Sequence, residues 1–360
     1  MRPEAPTVLV AMSGGVDSSV AAGLLLEQGF RVVGVTLLMR PQQSHQAVTW
    51  CCASGAVESA QAACHALGIR HEVLDYTDAF AATVLQPAWR EYRAGRTPNP
   101  CVHCNVHVKF AALYQHLQSA NARYLATGHY AEVVHGDAPR LCRAAFAPKD
   151  QTYFLFGLGR DVLNATLFPL ARLSKDDVRA LAQKWGLPTA QRPDSQDACF
   201  VDADGHFSEA LRHWFDDAPI PGPICDPDGR VLGEHRGIHR YTVGQRKGLG
   251  VATGQRAYVS RIDAHTHTIT LTIDETDLRS AALLTDDAHW ISGSAPTFPL
   301  ACKAQIRYRS APVDAVVTAQ DHGLHVAFSR AQKAVTPGQA VVFYRGDCVL
   351  GGAWISRALP

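Results

Sequence analysis

Two hydrophobic rhythms run along the chain, and the place where one gives way to the other divides it. Val8 to Met12 is a short apolar run that stops at Ser13-Gly14-Gly15, as a buried parallel strand does at its turn. From Ser18 to Gln28 the residues Val20, Leu24 and Leu25 keep helical spacing, with Gly29 where a C-terminal cap belongs. Arg31 to Leu38 is rich in Val and Leu and predicts a second strand. Beyond it the pattern predicts helices over 56–67, 80–93 and 109–117, with strands over 71–74 and 124–126, the latter running into Thr127-Gly128. Ser174 to Trp185 is a further helix, with Val178, Leu181 and Trp185 on one face and Gly186 and Pro188 ending it. Alternating strand and helix predict a doubly wound α/β domain with a mostly parallel sheet.

After about residue 200 the period shortens. Pro219-Ile220-Pro221-Gly222-Pro223 and Asp226-Pro227-Asp228-Gly229 are turn chemistry. Short alternating runs follow at 257–262, 267–273, 305–308, 313–318 and 340–344, separated by Gly, Pro and Asp as in small β-barrels. The chain thus divides into a catalytic α/β domain over 1–205, a small central β-rich domain over 206–280 and a C-terminal β-barrel over 281–360.

Composition narrows the class. With 47% apolar and 19% charged residues, disordered and collagen-like chains are excluded. No apolar run approaches the ~18 residues that span a bilayer, so no membrane partner is expected. Met1, Arg2, Pro3 and Glu4 read as neither a signal nor a transit peptide, and a cytoplasmic location is expected. Lys and Arg total 34 against 33 Asp and Glu, so any polyanion site must come from local clustering. Such a cluster exists: Arg230, Arg236, Arg240, Arg246, Lys247, Arg256 and Arg261 crowd one stretch with few acids. There are ten cysteines, for which reduced thiols in chemistry, metal binding or packing are favoured over a disulfide framework.

The strongest motif is Ala11-Met12-Ser13-Gly14-Gly15-Val16-Asp17-Ser18, between the first strand and the first helix. The two glycines let successive N–H groups converge on an anion, and the helix adds its positive end. Ser13 and Ser18 can donate hydroxyls, and Asp17 can hold Mg²⁺ against phosphate oxygens. Neither Gly-Lys-Ser/Thr nor Gly-x-Gly-x-x-Gly is present, which excludes a Walker A loop and a dinucleotide fingerprint. A second constellation, Gly95 to Asn105, opens as a proline-bounded loop and ends at a helix start, where a thiolate is favoured. Its Cys104 and the distant Cys199, in Asp194-Ser195-Gln196-Asp197-Ala198-Cys199-Phe200, are two loop thiols able to share a pocket. Cys64, Cys142, Cys225, Cys302 and Cys348 read as small packing residues, and Cys51-Cys52 is left unassigned. Cys101-x-x-Cys104 also permits a metal half-site, and an iron–sulfur cluster on Cys101, Cys104 and Cys199 is the lesser alternative.

The first motif resembles the loop of the N-type ATP pyrophosphatases, which split ATP into AMP and pyrophosphate while adenylating a substrate. Alone it fits an amidating or ligating enzyme as well, or a tRNA-binding module with a vestigial loop. Taken with Gly95–Asn105, Ala126–Tyr130, Lys149–Phe154, Asp194–Phe200, Gly244–Gly250, Arg307–Arg309 and Val335–Gln339, in that order, the chain is similar almost end to end to the tRNA-specific 2-thiouridylase family.

That resemblance implies an adenine nucleotide alpha-hydrolase-like fold and ATP-dependent thiolation of the wobble uridine in tRNAs of the Lys, Glu and Gln type. It implies that residues 11–18 bind ATP phosphates with Mg²⁺, and that Leu37 and Gly128 meet the nucleoside. Cys199 carries the persulfide and Cys104 is its partner thiol. Asn99, Pro100 and Cys101 line the target uridine. His129, Lys149, Asp150, Gln151, Arg307, Tyr308 and Gln339 touch tRNA. It further implies a sulfur-relay protein or cysteine desulfurase as donor, and a monomeric enzyme is expected. Many members carry Asp where this chain has Cys101, so an acid/base role there is not transferred, because a thiol titrates far higher than a carboxylate.

Overall fold

The computed structural model describes residues 5–39, 48–50, 55–193, 200–202 and 206–360. Five parallel strands form the first layer, in the order Arg70–Asp75, Arg31–Leu38, Thr7–Ala11, Tyr124–Ala126 and Thr166–Leu167. Thr7–Ala11 has four buried residues in a row, as a strand covered on both faces must. From this central strand the chain first moves to one side and later returns to the other. The crevice at the carboxyl ends of Thr7–Ala11 and Tyr124–Ala126 is therefore a topological switch point, where open α/β sheets take their ligands.

The first helix is Val16–Glu27, starting two residues earlier than the apolar spacing alone indicates, so Asp17 and Ser18 lie in its first turn. Pro100–His103 is already helical, and Cys104–Lys109 continues as a π-helical turn into Phe110–Ser119. The sequence predicts a proline-bounded loop over Gly95–Asn105 that ends at a helix start; the helix instead begins at Pro100, because proline at the first helical position is pre-set for helix entry. A second π-turn, Ala81–Leu85, joins Thr77–Phe80 to Gln86–Arg93. Trp185 closes against the first helix, where a side chain on Gly23 would lie 2.5 Å from its ring.

The central domain is a four-stranded sheet ordered Val231–His235, Gly222–Cys225, Thr268–Thr272 and Tyr258–Asp263, around a core of Ile224, Tyr241, Val259 and Ile269. In the C-terminal domain, Arg279–Trp290 pairs with both Leu324–Lys333 and Cys348–Leu359, closing six strands into a barrel. Residues 305–308, expected as a strand, are instead the end of Leu300–Gln305 and a turn. A hairpin of the first domain, Ala131–Val134 and Arg140–Arg143, docks on the barrel's last strand. There Cys142 and Cys348, expected only as packing residues, face each other across the two strands and form a disulfide. Their sequence separation of 206 residues hides the pairing until the hairpin is docked. No described helix is long and apolar enough to cross a membrane.

Glu209 ties the helix Phe207–Trp214 to the turn Ile238–Arg240. Its carboxylate, 6% exposed, accepts from Arg212 Nε (2.9 Å), His239 Nε2 (2.6 Å) and Arg240 Nε (2.7 Å). Burial pushes its pKa up, but the hydrogen bonds from His239, Arg240 and Arg212 outweigh it and leave the pKa well below the usual range. A depressed carboxylate stabilises the fold above its unfolded pKa, and that stabilisation fades as pH falls below about 4.5. Glu209→Ala is therefore expected to cost about 3 kcal/mol at neutral pH, since it leaves Arg212, Arg240 and the buried His239 ring without their shared acceptor. Denaturation followed from pH 7 to 3 checks this: the variant should lose less stability over that span than the parent.

Candidate active site

The loop Ser13-Gly14-Gly15 turns the chain from the central strand into the first helix. Gly14 has φ +74°, and a side chain there would meet the Ala56 carbonyl oxygen at 2.4 Å, so only glycine fits. Gly15 caps the helix without a side-chain bond, leaving the N–H groups of the first turn facing the crevice. Ser18 Oγ donates to Gly15 O (3.1 Å) and accepts from Ser13 N (3.3 Å), while Ser59 Oγ donates to Gly14 O (3.1 Å). The loop is braced from behind, with its concave face set for an anion. Ala11, Met12 and Val16 supply the packing under it: Met12 and Val16 are buried, and Met12 N donates to Val35 O at 2.8 Å.

Gly128 closes the crevice from the next strand. A side chain on it would lie 2.7 Å from Ser18 N and 2.8 Å from the Asp17 carbonyl carbon, so the two strand ends touch backbone to backbone. Tyr130 OH donates to Asp17 Oδ1 (3.0 Å), and Lys175 Nζ approaches the same oxygen at 2.6 Å. One oxygen-bearing acid, two serine hydroxyls and a ring of backbone amides suit a metal-bound triphosphate. Among the described residues no group of three His, Cys, Asp or Glu forms a separate metal cage.

The Thr97–Cys101 segment lies at the meeting of all three domains. From the barrel, Gln339 Nε2 donates to Thr97 O (2.9 Å) and Pro98 O (3.0 Å), and Thr97 N donates to Pro337 O (2.9 Å). From the central domain, Thr242 Oγ1 accepts from Thr97 Oγ1 (3.1 Å), and Ile262 packs against Gly95. Asn99 is buried and bonds the Tyr153 hydroxyl, which also donates to Ala340 O (2.9 Å). Cys101 is half-buried, and Cys104 is buried with its sulfur 4.0 Å from that of Met39. Leu37 and Met39 pack in the same cluster as Cys104, so this thiol stands at the carboxyl edge of the sheet that also carries the phosphate loop. Cys199 and the rest of Asp194–Cys199, with Cys51 and Cys52, lie outside the described residues.

Of the expected tRNA contacts, Gln339 belongs to the Thr97 clamp, while Asp150, Arg307 and Tyr308 are tied together through Arg143 and Gln305. Arg143 bonds Asp150 Oδ2 and Gln305 Oε1, both at 2.7 Å, and its guanidinium covers the Tyr344 ring at 4.0 Å. Gln305 Nε2 in turn donates to Arg307 O (3.0 Å) and Tyr308 O (2.7 Å), fixing the turn that carries both. Tyr308 packs on Phe154 with ring centroids 4.4 Å apart and planes tilted by 43°, while Arg307 is exposed and donates to Lys333 O. Lys149 is half-buried. Asp150 is 4% exposed, committed to Arg143, Thr152 and Ala144 N, so the structure presents backbone at that position. Gln151 Oε1 accepts from Tyr130 N (3.0 Å), linking this patch to the tyrosine that bonds Asp17. His129 lies between the Phe110 and Phe168 rings and bonds Thr127 Oγ1 (2.8 Å). Burial, with Lys109 nearby, pushes its pKa down to about 3. It is neutral at physiological pH and offers a hydrogen bond, not a charge. All seven cations between Arg230 and Arg261 are exposed.

Arg143, Gln305 and Lys175 carry no motif of their own, and sequence reasoning passed over them. The partners that define them include ones more than a hundred residues away: Arg143 bonds Gln305, and Lys175 reaches Asp17.

Three family models match consecutive stretches: a tRNA methyl transferase HUP domain over 6–203, a tRNA methyl transferase PRC-barrel domain over 209–272 and an aminomethyltransferase β-barrel domain over 280–355. The tRNA-specific 2-thiouridylase MnmA of Symbiobacterium thermophilum is 44% identical, covering 99% of this chain and 94% of its own. That of Heliobacterium modesticaldum is 45% identical over 98% and 93%. That of Roseiflexus castenholzii is 43% identical over 97% and 99%. Among solved structures, a 4-thiouridine synthetase–RNA complex with bound ATP aligns at TM-score 0.35 and 17% identity over 52% of this chain and 43% of its own. With a phosphate loop at the switch point, a three-domain plan and relatives matching along its whole length, the chain belongs to the tRNA-specific 2-thiouridylase family.

Proposed function

We propose that the protein is an ATP-dependent sulfurtransferase that converts the wobble uridine of tRNAs of the Lys, Glu and Gln type to 2-thiouridine, acting as a monomer in the cytoplasm. The observation that supports this best is Cys104, buried beside Leu37 and Met39 at the edge of the sheet that carries the phosphate loop. A thiol at the nucleotide edge has a task in sulfur transfer and none in amidation or ligation.

The uracil C2 oxygen is a poor leaving group. Its attack on the α-phosphorus of ATP expels pyrophosphate, and the resulting adenylate leaves as AMP. Mg²⁺, held by Asp17, would offset charge developing on the phosphates. The amides of residues 13–16 and the Ser13 and Ser18 hydroxyls hold the leaving pyrophosphate. The terminal sulfur of a Cys199 persulfide, loaded by a sulfur-relay protein or cysteine desulfurase, attacks C2 and displaces AMP. The Cys104 thiolate then attacks Cys199 Sγ, leaving the terminal sulfur on the base and a Cys104–Cys199 disulfide on the enzyme. Two electrons from an external reductant reset the pair. Asn99, Pro100 and Cys101 line the flipped uridine, whose extrusion costs a few kcal/mol of stacking. Lys149, Arg307, Tyr308 and His129 contact the anticodon arm, with Asp150, Gln151 and Gln339 shaping that surface.

Incubation with ATP, Mg²⁺, sulfide and unmodified tRNA, followed by nucleoside analysis, tests the reading: 2-thiouridine is expected, and its absence from a protein that binds both substrates would refute it. Backbone contact by the central domain has its own signature. Arg246→Gln with Lys247→Gln should weaken tRNA binding and lower the slope of log affinity against log salt by about 1.5, since each phosphate contact releases counterions. An unchanged slope would place the anticodon arm elsewhere.

A further inference from the structure

The phosphate loop brings no positive side chain of its own. Residues 11–18 hold one charged group, and it is the Asp17 carboxylate. Pyrophosphate is a multiply charged anion, and the helix end offers only about half a positive charge. The deficit has to be met from elsewhere in the chain.

Two cations reach the loop from a segment more than 150 residues later. Lys175 Nζ lies 2.6 Å from Asp17 Oδ1, with only 12% of its side chain exposed. Arg192 Nη1 donates to Gly14 O at 2.8 Å and sits 3.2 Å from where a Gly14 side chain would begin. Both are carried on braced backbone. Ser174 and Asp177 form a reciprocal cap that fixes the start of the helix Lys175–Lys184. Arg179 donates to Ala190 O (3.2 Å) and Arg192 O (3.3 Å), pinning the turn that leads to Arg192. Trp185, at the end of that helix, packs on Gly23 of the phosphate-loop helix, so the two helices are held together.

We propose that Lys175 and Arg192 are the cationic half of the pyrophosphate site. The proposal rests on the nucleotide reading above and extends it to residues outside the loop. Without nucleotide, the Lys175 ammonium neutralises Asp17. When the triphosphate arrives, its flexible stem turns the ammonium toward the β- and γ-phosphates and releases the Asp17 carboxylate for the metal. Arg192 has five donors in a fixed fork, so it keeps its bond to Gly14 O while other N–H groups face the phosphates.

Equilibrium binding of inorganic pyrophosphate, with adenosine as the probe that lacks phosphate, separates the possibilities. The proteins compared are the parent, Lys175→Gln, Lys175→Arg, Arg192→Gln and Lys184→Gln, the last removing an exposed cation at the far end of the same helix. Lys175→Gln and Arg192→Gln should each weaken pyrophosphate binding about 10- to 100-fold, the value of one charged hydrogen bond. Lys175→Arg should retain most of the affinity, Lys184→Gln should match the parent, and adenosine binding should be unchanged throughout. Were the Lys175–Asp17 pair only a strut, Lys175→Gln would lower thermal stability and leave pyrophosphate affinity at the parent value, which overturns the proposal. A parent protein that binds neither probe would overturn the nucleotide reading itself.

Discussion

Cys199→Ser is expected to abolish thiolation, by at least a thousandfold in turnover, while single-turnover pyrophosphate release on tRNA stays near the parent rate. Hydroxyl for thiol removes the atom proposed to carry the persulfide but leaves the sequence of the phosphate loop unchanged. Cys104→Ser should fail differently. If Cys104 resolves the adduct, its loss stops the reaction after sulfur has joined C2 and before the sulfur–sulfur bond breaks. Enzyme and tRNA then accumulate as a covalent adduct that a thiol reductant cleaves. Denaturing gels run with and without dithiothreitol read this directly. Full activity in either variant, or loss of pyrophosphate release in Cys199→Ser, would defeat the assignment.

Gly128→Ala is the second large effect, and it falls on the other half-reaction. The added carbon would sit 2.7 Å from Ser18 N and 2.8 Å from the Asp17 carbonyl carbon, distances at which something has to shift. Both neighbours are backbone in the first turn of Val16–Glu27, so the shift falls on the amides proposed to bind phosphate. A displacement near 1 Å in a positioning element costs about a hundredfold. The expected result is a fall of about that size in kcat/KM for ATP, while tRNA affinity in the absence of ATP is retained. A normal ATP response would mean that the crevice is looser than its backbone contacts indicate.

The parts of this site that could be read in the sequence are those built from contiguous residues. Ser13-Gly14-Gly15-Val16-Asp17-Ser18 follows an apolar run and opens a helix, so its geometry is local and its chemistry follows from it. The parallel strands were legible for the same reason: Arg31–Leu38 and Tyr124–Ala126 are formed where the apolar pattern puts them. What escaped depends on long-range partners. Pro100–Lys109 is helical because its π-turn packs Cys104 and Val108 against Phe80 and Trp89, a fact of tertiary packing. Ile306–Tyr308 has strand-like residues, yet the Gln305 amide folds it into a turn. Lys175 and Arg192 look like ordinary surface cations until the sheet brings them over the loop. The Cys142–Cys348 bridge needs a hairpin of one domain to dock on the barrel of another.

The clamp on Thr97 and Pro98 has a consequence for synthesis. Gln339 reaches them across 242 and 241 residues of chain, so the segment proposed to line the uridine receives its final partners only when nearly the whole protein has left the ribosome. At about 5–20 residues per second the interval is roughly 10–50 s, ample time for the α/β domain to fold without them. A chain truncated before the barrel would hold an intact phosphate loop and an unfastened base pocket. Such a fragment would keep Arg246 and Lys247 of the central domain but lack the Gln339 hydrogen bonds to Thr97 and Pro98.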